Sequence, residues 1–163
     1  MPWQVRREMH DDAFMEAHAR AVFEWENVEQ KLLYIFCALV RSASPAVSTA
    51  IFHVVVNLHT RLNMIDAAAK TFLADPDLAA EWAALRERVS TISKHRDRLA
   101  LFTAASDPGA KTSPRRRATD LDIVTSSTED VDLGQVRKWH GEFQVLAAEL
   151  DRFMDSVEAA LSR

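Results

Sequence analysis

This chain predicts an all-α fold, an up-down four-helix bundle with a long loop before its last helix, on three observations. Glycine and proline are scarce, 3 and 5 in 163 residues. Ala, Leu, Glu and Arg, which lose little freedom in a helix, are plentiful. Apolar residues recur at steps of three and four through four long stretches, which places them on one face of a helix. A length of 163 residues fits one domain spanning 1–163, because two halves would each be too small for a good core.

The first helix is predicted over about 11–41. Its stripe reads Phe14, Ala17, Ala21, Trp25, Val28, Leu32, Ile35 and Leu39, with Glu16, Arg20, Glu24, Glu26, Glu29 and Lys31 on the other side. Ser44-Pro45 then marks a new start, since serine caps free N–H groups and proline suits the first helical position. The second helix is predicted over 45–74, with Val47, Ile51, Val54, Leu58, Leu62, Ile65, Ala69 and Phe72 as its inward stripe. Asp75-Pro76-Asp77 repeats the signal and opens a third helix over 76–103. The short connections make successive helices antiparallel neighbours.

The third helix carries a heptad seam, Leu78, Trp82, Leu85, Val89, Ile92, Arg96 and Leu99, in which Arg96 stands where an apolar side chain belongs. The connection at 103–131 is long for a compact domain and reads as a functional or flexible loop. It holds Ser106-Asp107-Pro108-Gly109, the basic run Arg115, Arg116 and Arg117, and Leu121-Asp122-Ile123-Val124, a candidate extended piece. The last helix is predicted over 132–161, with Val136, Trp139, Phe143, Leu146, Leu150, Phe153, Val157 and Leu161 facing inward and Gly141 as its weak point.

Composition narrows the function. The net charge of −4 gives no overall basic footprint, yet residues 76–118 hold nine Lys+Arg against five Asp+Glu while 119–163 hold four against ten. An anionic partner is drawn to the middle segment. No secretion signal is visible, and the apolar run at 32–40 is far short of the ~20 residues of a membrane span. A cytoplasmic protein without a membrane segment is expected. The lone Cys37 lies in that apolar run and reads as a small buried hydrophobe.

Metal and cofactor chemistry are not expected. None of the six histidines has Glu three residues before it, as a di-iron bundle requires. His53 and His59 point apart on a helix, and His10 and His18 straddle the N-terminal region. No nucleophile elbow or phosphate loop is present, because the glycines at 109, 134 and 141 are scattered. Trp25, Trp82 and Trp139 belong to apolar stripes and read as core. Arg115–Arg117 form a candidate phosphate-contacting loop whose ordinary reading is a solvated turn.

Arg96 admits two readings. A charge on a buried seam costs several kcal/mol unless it is paired or reaches water. Either it pairs with a core acid, Asp66 being one partner, or it projects into a groove between helices or subunits.

The segment Arg96-Asp97-Arg98-Leu99-Ala100-Leu101 resembles the signature of HEPN domains, in which an Arg and a polar residue precede a His at the fifth position after the Arg. Thr60–Asp66 and Glu81–Leu85 are similar to second- and third-helix sequences of small bacterial HEPN-like proteins. The resemblance covers about residues 50–105. It implies an α-helical, commonly dimeric domain. Active members are metal-independent RNases of toxin–antitoxin and defence systems. Here Leu101 occupies the His position and can neither accept nor donate a proton. The expected function is therefore a non-catalytic binding or dimerisation module. Its partner is its own copy, another protein, or RNA held at a groove with His95, Arg96, Asp97 and Arg98. An RNase with an atypical site, and a helical scaffold unrelated to HEPN domains, are the alternatives.

Overall fold

A computed structural model describes residues 3–41, 44–106 and 131–162, with the side chains of 3–11 and 101–106 left aside. The described chain is all-α. Its helices are α1 (Trp3–Val40), α2 (Pro45–Val54), α3 (Leu58–Phe72), α4 (Pro76–Ser106) and α5 (Leu133–Leu161).

Three long helices form the frame. α1 and α5 lie side by side and run in the same direction. Trp25 meets Phe143 edge-on at 5.3 Å, Lys31 pairs with Asp151 at 2.8 Å, and Arg41 Nη1 donates to the Leu161 carbonyl at 2.7 Å. α4 runs against both. His18 of α1 touches Leu99, Arg88 pairs with Glu149, and Trp82 packs on Phe153. Leu62, Leu85 and Leu150 share the single core, as one bundle requires.

The predicted helix over 45–74 is in fact two helices, and this is the main correction to the sequence reading. Val54-Val55-Val56 is a run of β-branched residues that resist helical packing. Asn57 then starts afresh, its side chain accepting from Thr60 N–H at 3.1 Å. The result is a hairpin, α2 descending along α1 and α3 rising beside α4. Phe36 meets Phe52 at 5.6 Å, and Arg86 donates to Asn63 at 2.7 Å. The hairpin fills the fourth position of the bundle over only half its length, and successive helices alternate in direction throughout.

Splitting the helix turns α2 by part of a revolution. Its predicted inward residues Val47, Ile51 and Val54 are exposed, Val54 at 81%, while Ser48 and Phe52 are buried. Phe72, also predicted inward, is exposed at the end of α3. From Ser42 to Thr60 the chain holds no Asp, Glu, Lys or Arg, so no charge stands on either face of α2.

The other boundaries differ by less. α1 begins at Trp3 rather than near 11 and ends at Val40, and Arg41 just after it adopts φ 46°, a left-handed conformation unusual for a residue with a Cβ. Asp75 caps α4 as expected, accepting from Asp77 N–H at 2.9 Å. α5 opens on a reciprocal capping box between Asp132 and Gln135. The basic run Arg115–Arg117 and the stretch 121–124 lie outside the described residues.

Candidate binding groove

A groove opens where the hairpin stops covering the frame. α3 starts only at Leu58, so the line between α1 and α4 is uncovered below it. The space is about 590 Å³. Trp25 and Glu29 form its wall on α1, Val56 and Asn57 its rim at the α2–α3 junction, and Leu58, His59 and Leu62 its side on α3. Ser90, Ser93, Arg96 and Asp97 face it from α4.

The corner of the groove is fixed by Arg61. Its Nε donates to the Val55 carbonyl at 2.6 Å and its Nη1 to Glu29 Oε2 at 2.8 Å, and its guanidinium lies 5.1 Å from the centre of the Phe52 ring. Glu29 is satisfied on both oxygens, since Oε1 accepts from Trp25 Nε1 at 2.7 Å. Both ions are largely covered, with side-chain exposures of 13% for Arg61 and 29% for Glu29. Removing one strands the other in a poorly solvated site.

Arg96 is not a buried ion pair. Its side chain is 49% exposed, and its partner is the neighbouring Asp97 at 3.2 Å. Asp66, offered by the sequence as a partner, binds Lys70 at 2.7 Å instead. An arginine is tolerated at the seam because α4 has no α3 neighbour at that height. Its stem lies along the seam while its head reaches water. A pair this exposed holds the side chain only weakly.

The structure separates the four residues that the sequence groups together. Arg96 and Asp97 line the groove. His95 faces α5, stacked on Trp139 at 5.0 Å and 11°. Its Nε2 stands 3.3 Å from Glu142 Oε2, and its Nδ1 is buried without a hydrogen-bond partner. Burial lowers the His95 pKa from its usual 6.5, Glu142 acts against this, and Arg98 and Lys138 add to it. The unfolded chain therefore takes up this proton first. Stability from the site is complete above about 6.5 and declines as pH falls below it. Arg98 is exposed, close enough to act on His95.

Leu101 lies in α4 among residues whose side chains are not described. His18 of α1 is buried with Nε2 3.0 Å from the Leu99 carbonyl. A carbonyl can only accept, so Nε2 carries the proton and the ring is committed to a structural bond. Glu29, Arg61, His59, Ser90 and Ser93 escape sequence reasoning. Glu29 and Arg61 are 32 residues apart and share no motif, and the helix start beside His59 is signalled only faintly, by Asn57 after three valines.

Among the described residues, no three or more His, Cys, Asp or Glu side chains gather closely enough to hold a metal ion. None of the described helices is long and apolar enough to cross a membrane. No protein-family model, no curated protein sequence and no solved structure matches the chain.

Proposed function

We propose that this chain is a non-catalytic, HEPN-like interaction module that pairs with a second copy of itself through α2 and places the groove beside Arg96 at the edge of that contact. One observation carries the reading. Val56, 87% exposed, lines the groove and follows directly on the exposed face of Val47, Ile51 and Val54. An uncharged apolar face that leads into a groove has the make-up of a protein contact, and it is unusual on a surface left bare. A two-fold contact sets a patch against itself, so a patch without charge avoids self-repulsion.

Protein is favoured over RNA by the groove's charges. Glu29 offsets Arg61 and Asp97 offsets Arg96, which leaves no basic track for a phosphate backbone. Leu101 at the position of the HEPN histidine supports a role without catalysis.

Light scattering at high micromolar concentration tests this directly. Wild type is expected at twice the 18.4 kDa chain mass, and Ile51→Glu with Val54→Glu at the single mass with an unchanged helical spectrum. A wild type that stays at the single mass overturns self-association. RNA cleavage by the wild type that Arg96→Ala abolishes overturns the non-catalytic role.

A further inference from the structure

We propose that a second cavity, between α1 and α5, binds inorganic phosphate in its hydrogen phosphate form. It lies nearer the N-terminal ends of both helices than the groove does and shares no residue with it. The proposal is independent of the function above.

The cavity exists because α1 presents Ala13 and Ala17, one turn apart, where longer side chains would fill the gap to α5. The space left is about 120 Å³. A single water needs roughly 10–15 Å³ of such space, so the cavity has room for a small tetrahedral ion.

Its remaining walls are ionisable. Arg20 comes from α1, and Arg137 and His140, three residues apart, come from one face of α5. The one carboxylate is Glu16, which holds Arg20 at 2.5 Å across a helical turn. Arg137 has no ion-pair or hydrogen-bond partner among the described residues. Two guanidinium groups against one carboxylate leave a net positive ring. A guanidinium fork matches two oxygens of a tetrahedral anion. His140 offers a ring nitrogen to a third oxygen.

Glu16 sets the choice of anion. Its second oxygen can only accept a hydrogen bond. Hydrogen phosphate brings a P–OH that donates to it. Sulfate brings none and meets repulsion. A phosphate monoester, with its second pKa near 6, has largely lost that proton at neutral pH. The expected order is therefore phosphate above methyl phosphate and sulfate.

The test uses the full chain at pH 7 and constant ionic strength. Phosphate, methyl phosphate and sulfate are each titrated while the imidazole resonances are followed by NMR, with His140→Gln assigning the His140 signal. Phosphate is expected to shift that signal saturably and more tightly than the other two anions. Arg137→Gln removes a bidentate charge-assisted contact and should weaken binding by about tenfold or more. Lys138→Gln, which removes a neighbouring charge 74% exposed and outside the cavity, should leave binding unchanged. Both positions are on the surface, and a helical spectrum equal to wild type confirms that each variant folds. A signal that does not saturate with phosphate overturns the site. So does sulfate binding as tightly as phosphate, or a loss in Lys138→Gln equal to that in Arg137→Gln, which would mark a diffuse charge effect.

Discussion

Helices α5 and α2 represent two ways for a helix to divide itself between core and solvent. α5 buries Val136, Trp139, Phe143, Leu146, Leu150, Phe153 and Val157 and sets Arg137, Lys138, Arg152, Asp155 and Glu158 outward. Turning it half a revolution would drag charges into the core, at several kcal/mol each. α2 carries no charge at all. Its orientation is held by Phe52, clasped between Phe36 and the Arg61 guanidinium, while comparable apolar side chains remain outside. The comparison teaches that a helix is oriented as firmly by what it must keep in water as by what it hides. Where charge is missing, one well-placed ring decides.

Four substitutions can break or sharpen that comparison. The largest effect is expected from Phe143→Ala in α5. The ring is fully buried and meets Trp25 edge-on, and its loss should cost about 3–5 kcal/mol in denaturant unfolding. A cost below about 1 kcal/mol would mean that α5 is not the firmly held member of the pair. Next comes a matched pair in α2. Phe52→Ala should cost about 3 kcal/mol, near the lower end for such a ring because a short peripheral helix can relax. Ile51→Ala, half exposed, should stay within about 0.5 kcal/mol. If the two costs are reversed, α2 faces the other way. The smallest effect has the opposite sign. A Cβ added at Gly141 meets nothing within 4 Å, so Gly141→Ala should raise stability by about 0.5–1 kcal/mol, read as a higher melting temperature.

How much was legible follows the same division. The stripes of α1, α4 and α5 are readable because charged residues alternate with apolar ones and declare the solvent side. Asp75-Pro76 and Asp132 are readable because capping is local chemistry. The break at 55–57 is written more faintly, in three successive valines and an asparagine, and an unbroken three-four apolar step runs across it. The uncharged stretch then leaves two faces of α2 equally eligible. At the candidate site, Arg96 stands out as a charge on a seam, and that signal does locate the groove. Its opposite wall is not legible, because Glu29 and Arg61 meet only through tertiary packing. His95 is misleading for a simple reason: adjacent residues on a helix point about 100° apart, so a neighbour in sequence belongs to a different face.

The parallel pairing of α1 with α5 has a consequence for how the chain acquires its shape. These are the first and last of the described helices, and the bond from Arg41 to Leu161 closes a separation of 120 residues. The contacts that shelter Trp25 and Val28 come mainly from a helix made after α2, α3 and α4. Until α5 emerges, the apolar stripe of α1 is exposed beside α2, α3 and α4. Such late closure raises the contact order, slows the final step and leaves a sticky nascent intermediate. Synthesis that stalls before residue 133 would leave a helical chain whose longest hydrophobic stripe is still without its main cover.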